Sequence, residues 1–586
     1  MSLSFDIAPF AITQIVTALH FPTKATEFMP VPTKDGSILA VAKTYWGFLL
    51  DYVSPKRKLL KKFRDRWGTQ GDKDGFMASR YFDLVHDASP DTWVDEKTWR
   101  DLEFQEIFHR MDTTVTPVGS QVLFAQLRKY VEDPETLAQR YAIYAHIASN
   151  EMLRESLQLR LAKLSDDANA DLGDVLFGAR MEKSPNRAFI WTWSLLSLTL
   201  LVLVAFFKMS VWLWLAIVFV NVSLIFREAS REHRESQAMK HSGALLDVAD
   251  ELAKMHKIYP SLPQLARLHE EAAQRTAVRK TLFWFSLSKI QPFSVVFAVL
   301  NFGFLIELMI NAGSMERFFR IRSKLTATYA LVGEIDAIIA VASYLQQYPN
   351  HCLPTIIDTR ILSIVDGYHP LLPNGVANSI RLERHSALVT GSNMAGKTTF
   401  IKMLTSNAIL AQTVGFCLAS AATIPRSTVM ASIHGTHSVN SGKSHYFAEI
   451  ETIDRFIRDR ARGGIKILAI DEPFSGTNTV ERIAVARAVL ESLGENAVVL
   501  TTTHDVELQD LLGGSYALYH FQENPDVDGY FDYALKPGPV TARNAIKLLE
   551  RMGFPKEIIA NAMSHAEWNM SASAARLHTN RSGGVH

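Results

Sequence analysis

The stretch LVTGSNMAGKTTF, Leu388 to Phe400, decides the fold of the C-terminal part of the chain. From Gly391 to Thr398 it has the spacing G-x-x-x-x-G-K-T, in which the N–H groups of a glycine-bearing loop wrap a triphosphate. The preceding SALVT, Ser386 to Thr390, is short, apolar and β-prone, and reads as a strand. The following KTTFIKMLTSNAILAQTV has helical spacing. Strand, glycine loop and helix, in that order, are what a phosphate-binding loop requires. The candidate cradle is Gly391, Ser392, Asn393, Met394, Ala395, Gly396, Lys397, Thr398 and Thr399. Lys397 would reach the β- and γ-phosphates of ATP, and the Thr398 hydroxyl would sit on Mg²⁺.

Two further segments complete a phosphoryl-transfer kit. In IKILAIDEPFSGTNT an apolar strand, Ile465 to Ile470, ends in Asp471 and Glu472. An acid at such a strand end holds Mg²⁺ directly or through water, and the next carboxylate orients and polarises the attacking water. A third strand, AVVLTTTHD, delivers His504 at its end, where it can hydrogen-bond the γ-phosphate and sense its loss. All three strands carry their chemistry at C-terminal edges, where open α/β sheets bind ligands.

A different signal lies upstream. Ala188 to Phe207 is twenty residues without a charge, about 30 Å as a helix and the thickness of a bilayer core. Val211 to Phe226 adds sixteen more. Trp191 and Trp193 stand near one end, and Trp212 and Trp214 near the turn, at the positions of an aromatic belt. Arg180, Lys183 and Arg187 flank one side, and Arg227, Arg231 and Arg234 the other, whereas the turn holds only Lys208. This asymmetry places both flanks in the cytosol and predicts a hairpin in the inner (cytoplasmic) membrane over residues 188–226. A buried core hairpin of a soluble domain is the alternative. A weaker apolar stretch, Pro292 to Ile310, contains Asn301 and Glu307 and reads as a buried or membrane-grazing helix.

The bulk numbers are compatible with both signals. A chain of 586 residues exceeds one core, so several domains are expected. With 61 basic and 60 acidic residues it lacks a global nucleic-acid footprint. Two cysteines, Cys352 and Cys417, exclude a disulfide framework and a CxxC zinc site. The N-terminus has no basic region and does not read as a secretory signal. One local basic run, KRKLLKKFRDR at Lys56–Arg66, reads as a solvated helix face, an anionic-lipid contact or a nucleic-acid contact, with lipid favoured by the hairpin.

From about Ile364 to Ala562 the chain resembles the ATPase domain of MutS-type DNA mismatch-repair proteins, within the ABC-ATPase superfamily. GYHPLL and NGVANSIRL are similar to that family's lead-in, and TGSNMAGKTT to its Walker A with Asn-Met in the loop. NSGKSHYFAEI, Asn440 to Ile450, resembles its signature segment, DEPFSGTNT its Walker B and D-loop, TTTHDVEL its histidine segment and MGFPKEIIANA its domain end. The resemblance implies a homodimer through the ATPase domain. In it Ser441, Gly442 and Ser444 of one subunit would cap the nucleotide of the other, and Lys397, Glu472 and His504 would act in catalysis. Where repair proteins have Gly-Arg-Gly-Thr-Ser-Thr after Walker B, Phe474 to Thr479 here reads FSGTNT, a departure that bears on subunit cross-talk.

Upstream, Trp93–Arg140 looks like the start of the MutS core domain and Met315–Tyr344 like its return. No counterpart of the mismatch-recognition domain is legible; Phe104 and Glu106 in EFQEIF lie in the core-like segment. The expected fold is therefore multidomain, α plus α/β. It comprises an N-terminal region (1–90), a helical core-like segment (91–186), a transmembrane hairpin (187–227), a second core/lever part (228–363), the P-loop ATPase domain (364–564) and a flexible tail (565–586). The expected function is ATP-driven dimer opening coupled to lever-helix motion at a membrane. Its rivals are a DNA-binding MutS homologue in repair or recombination and an ATP-gated scaffold with negligible turnover.

Overall fold

A computed structural model of the chain describes residues 55–71, 77–86, 92–166, 171–178, 187–208, 210–287, 300–306, 309, 317–318, 320–433, 445–460, 463–522, 531–540 and 553–564. Contacts divide it into two compact units. The expected tail, most of the N-terminal region and most of 292–310 lie outside the described residues.

The first unit takes in the described residues up to Val85, His109–Phe124 and Ile143–Gln347, and is helical. Its basic run forms α1, Pro55–Arg66, which buries Phe63 and docks on α2, Glu151–Leu161. Asn150 starts α2 by accepting the Leu153 N–H at 3.0 Å, and Leu153, Leu157 and Leu161 form its buried stripe. Arg64 of α1 pairs with Glu151 and Glu155 of α2.

The apolar hairpin is formed by α3, Arg187–Phe207, and α4, Val211–Ala253. Its outer side chains have no protein cover: Phe206 is 80% exposed, Trp212 76% and Phe219 74%. The second arm differs from expectation. Rather than stopping near Phe226, α4 runs unbroken for 43 residues, about 64 Å. The sequence after Phe226 is rich in Glu, Ala, Arg and Leu and meets no proline before Pro260, so nothing ends the helix. Its far end buries Leu245, Leu246, Val248, Ala249 and Leu252 in protein. A single helix thus passes from an uncovered apolar hairpin into a packed core. Trp193 also departs from the belt reading. It turns inward, its indole N–H donating to Asn221 Oδ1 at 2.8 Å.

A third apolar helix, α6 (Ser323–Leu345), follows α5 (Ala272–Leu287) in the same unit. It is as long and nearly as apolar as α3, but 78% of its apolar stretch is buried against 17% for α3. It is a core helix. Its buried Asp336 carboxylate accepts the N–H groups of Val115 (2.9 Å) and Thr116 (2.8 Å) and the Thr116 hydroxyl (2.7 Å). That caps the helix Pro117–Arg128 from 220 residues away in sequence. A Cβ at Gly119 would lie 2.3 Å from Asp336 Oδ2, so only glycine fits beside the cap.

The second unit holds two sheets. A four-stranded sheet has the order β1-β5-β2-β3, with β1 Thr355–Ile357, β2 Leu362–Gly367, β3 Asn378–Leu382 and β5 Ala421–Pro425. A six-stranded sheet has the order β10-β9-β4-β8-β7-β6. Its strands are β4 Ser386–Thr390, β6 Ser427–Ser432, β7 Ile465–Asp471, β8 Ala497–Thr503, β9 Tyr516–His520 and β10 Lys536–Pro537. All its pairings are parallel except β10 with β9. β4 and β8 are buried along their whole length, as the continuous apolar runs of a two-side-covered parallel sheet demand. Three helices flank these strands in sequence: α7 Lys397–Thr413, α8 His445–Arg460 and α9 Thr479–Gly494.

The division differs from the expected boundaries. Residues His86–Phe108 and Ala125–Ala142 belong to the unit of the sheets, not to the helical core-like segment. The helix Glu96–Asp101 completes the edge strand β6: Thr98 Oγ1 accepts the Ala431 N–H and Asp101 Oδ2 the Ile433 N–H, each at 3.1 Å. It thereby blunts an edge that would otherwise offer unpaired amides.

Candidate nucleotide site

The site lies at the C-terminal ends of β4, β8 and β7, three neighbouring parallel strands. Register sets the level: Thr390 pairs with Thr503, and Asp471 with Thr502. The central strand of the three is β8, so His504 emerges between the glycine loop and the acidic pair.

The loop's glycines are required by geometry. Gly391 has φ +133°, and a Cβ there would stand 2.5 Å from the Phe521 carbonyl oxygen. Gly396 has φ +99° and starts α7. Between them Asn393–Ala395 makes one tight turn, with Met394 and Thr399 exposed. This aims the N-terminus of α7, with its free N–H groups and partial positive charge, at the site.

Lys397 is almost wholly buried. Its ammonium donates to the carbonyls of Gly391 (2.8 Å) and Ser392 (3.1 Å). Burial pulls its pKa down to about 8, and the carboxylates of Glu472 and Asp471 oppose the shift. The Thr398 hydroxyl donates to Asp471 Oδ2 at 2.9 Å. Thr502 binds the same carboxylate through its own hydroxyl, and its carbonyl accepts the Glu472 N–H at 3.2 Å. Glu472 sits at φ +48°, a strained position for a non-glycine residue that a strand-to-loop turn imposes here.

His504 Nε2 lies 2.7 Å from Glu472 Oε1 and 3.2 Å from Lys397 Nζ. One nitrogen cannot donate to the first and accept from the second. The shorter contact assigns the proton to Nε2, donating to Glu472, and Lys397 then directs its protons to the loop carbonyls. Arg482 of α9 holds the next residue, Asp505, at 2.8 and 2.6 Å, which fixes the turn that carries His504.

Of the expected residues the structure thus gathers Lys397, Thr398, Asp471, Glu472 and His504 at one edge, beside the loop Gly391–Gly396. Ser441, Gly442 and Ser444 lie outside the described residues; α8 begins directly after them. Thr502 was not singled out from sequence, although the threonine run before His504 contains it. The donor set fits ATP with Mg²⁺. Thr398 and Asp471 supply hard oxygen ligands to one point, and the Ser392 hydroxyl is shielded from solvent without a hydrogen-bond partner in the cradle.

Comparison with known proteins agrees with this geometry. The family profile of MutS domain V matches residues 387–568. The DNA mismatch repair protein MutS of Natronomonas pharaonis is 29% identical over 266 residues, which cover 42% of this chain and 31% of that protein. MutS of Thermus aquaticus is 28% identical over 270 residues, covering 44% and 33%. MutS of Leuconostoc mesenteroides subsp. mesenteroides is 28% identical over 284 residues, again 44% and 33%. The chain spans about a third of the length of these relatives. Residues 387–568 thus match the ATPase domain of the MutS family, an ATPase domain of the ABC type.

Proposed function

We propose that the protein is a membrane-anchored, homodimeric MutS-type ATPase in which ATP binding and hydrolysis drive a lever helix fixed in the bilayer. The convergence of Lys397, Thr398, Asp471, Glu472 and His504 on one sheet edge carries the enzymatic part. Lys397 would leave the loop carbonyls for the β- and γ-phosphates. Thr398 and Asp471 would hold Mg²⁺, which neutralises phosphate charge when bound. His504 would turn its N–H from Glu472 to the γ-phosphate, releasing the carboxylate to accept a proton from water. That water attacks the γ-phosphorus, the bond to the β–γ bridging oxygen breaks, and ADP departs with the electron pair. The segment with Ser441, Gly442 and Ser444 would cap the partner's nucleotide.

The uncovered hairpin and the unbroken α4 support the mechanical part. Dimer opening that moves the packed end of α4 reaches the membrane arm through a continuous helix. The sheet unit, and the helical unit apart from its hairpin, would lie in the cytosol. In the detergent-purified protein, Lys397→Ala and Glu472→Gln should abolish ATP turnover; unchanged rates would overturn the site.

A second reading, DNA binding, is favoured by the relatives' names and by α1. Lys56, Lys58, Lys61 and Lys62 of α1 are exposed. Just past the end of α2, Lys163 bridges to Glu251 of α4, 24 residues and about 36 Å along the helix from Arg227. Even allowing for the length of α2, this exceeds the Debye length of about 8 Å and disfavours lipid as the partner of α1. Gel shifts with duplex and branched DNA at two salt concentrations, with and without ATP, test it.

A further inference from the structure

We infer that Leu300–Ile306 is a re-entrant membrane segment, reaching the bilayer centre and held there by Asn221 and Ser197. This rests on the membrane reading of the hairpin.

Depth follows from helix register. Ser197 lies ten residues before the end of α3 at Phe207, and Asn221 ten residues after the start of α4 at Val211. Each is about 15 Å from the turn, half the thickness of a hydrocarbon core. At that level both side chains are fully buried and bind one piece of main chain. The Ser197 hydroxyl donates to the Gly303 carbonyl at 2.6 Å. Asn221 Nδ2 donates to the carbonyls of Phe302 and Gly303, each at 3.0 Å. Trp193 Nε1, donating to Asn221 Oδ1, fixes which way the amide faces.

Those carbonyls need partners because the helical turn ends there, with Leu305 at φ +53°. In water, solvent would satisfy them. In hydrocarbon each open carbonyl costs several kcal/mol, and broken helices persist only where protein groups take over. The arrangement also accounts for an asparagine inside AIVFVNVSLIF, which facing lipid would be costly. Below the break, Leu305 and Met309 pack against Ile190, Leu224 and Ile225, toward the charged flanks. Phe302 is exposed, toward acyl chains.

Sidedness follows from what α5 and α6 touch. Arg275 and Arg279 of α5 bond Asp250 and Asp247 of α4, beyond the lipid-facing part. α6 packs on the same helix. The chain therefore leaves and rejoins one unit on one face, and a full crossing between α5 and α6 is incompatible with both contacts.

The test uses the full chain with Cys352→Ser and Cys417→Ala, retaining ATPase activity, in phosphatidylcholine/phosphatidylglycerol vesicles with the ATPase domain outside. Single reporters are Lys208→Cys, Ser288→Cys, Phe302→Cys and Ser314→Cys, probed with a membrane-impermeant maleimide. Positions 288 and 314 should react from outside, and 208 only after permeabilisation. Position 302 should react at least about tenfold more slowly than 314 on either side. If 314 reacts only from the lumen, the segment crosses; if 302 matches 314, it lies in water. Either result overturns the inference while leaving the hairpin intact. If 208 reacts from outside, the hairpin reading itself falls. Adding Asn221→Leu should speed labelling at 302 by about tenfold, and an unchanged rate overturns the role of Asn221.

Discussion

The phosphate edge of the six-stranded sheet and the middle of the hairpin both set polar groups in dry surroundings, and they are assembled in opposite ways. At the sheet, Lys397–Thr398, Asp471–Glu472 and His504 come from three short segments, each a strand plus one turn, levelled by parallel register. In the hairpin, Ser197, Asn221 and Trp193 stand alone in long apolar runs, and the groups they serve are main-chain carbonyls of a distant segment. Chemistry concentrated in sequence announces itself. Chemistry divided among solitary residues becomes visible only with its partners.

The largest expected effect tests the concentrated kind. Glu472→Gln removes the proton acceptor but keeps the side chain's size. Turnover should fall by about 10²–10⁴, the usual worth of a positioned base. ATP affinity should change little, because Lys397, Thr398 and the loop N–H groups remain. Single-turnover hydrolysis beside equilibrium nucleotide binding separates the two. A loss of affinity equal to the loss of rate would mean that the His504–Glu472 contact organises the cradle itself.

Asp336 belongs to the dispersed kind, in a helix that hydropathy alone does not distinguish from a membrane span. Asp336→Ala strands a buried N–H, a half-buried N–H and a buried hydroxyl at the start of Pro117–Arg128. At about 1–3 kcal/mol for each orphaned buried group, the loss should be about 3–5 kcal/mol, since part of the site relaxes or hydrates. Chemical denaturation read from the helical unit measures it. Asp336→Asn should recover part of the loss by keeping one acceptor.

The same contrast explains what was legible. Walker A, Walker B and the histidine strand could be read because each motif brings its strand with it. The two apolar helices of the hairpin could be read because each is a long uncharged run and a short turn parts them. The position of β8 between β4 and β7 was not legible, since strand order is set by crossovers that leave no local mark. The helix Glu96–Asp101 was grouped with the helical core by resemblance. Its actual partner, edge strand β6, is more than 300 residues away in sequence. The continuation of α4 past Phe226 has no mark in hydropathy, because a drop in hydropathy does not end the hydrogen-bond ladder. Asn221 stands among apolar neighbours, and a lone amide in such a run is itself the signal of a buried partner.

A smaller effect follows from the buried lysine. In the free site Lys397 titrates at about 8, because burial lowers it more than Glu472 and Asp471 raise it. Bound phosphate favours the charged form, so its pKa rises on ATP binding and a proton is taken up above pH 8. ATP affinity should be level below that pH and fall by up to about tenfold per unit above it, until the bound-state pKa is passed. Titrations of ATP from pH 7 to pH 10 at constant ionic strength measure the slope. Lys397→Arg, which does not titrate there, should remove it.

The smallest effect returns to the hairpin. Trp193→Phe deletes the N–H that orients the Asn221 amide and keeps most of the ring's packing. Interhelical hydrogen bonds inside membranes contribute on average about 0.6 kcal/mol, so the Gly303 contact should weaken by roughly threefold. In the Phe302→Cys background, maleimide labelling should quicken by that factor, well below the effect of Asn221→Leu. If Trp193→Phe instead matches Asn221→Leu, the indole is a principal support of the re-entrant segment and the amide alone is insufficient. If it has no effect, the amide holds its orientation through the two carbonyls it already serves.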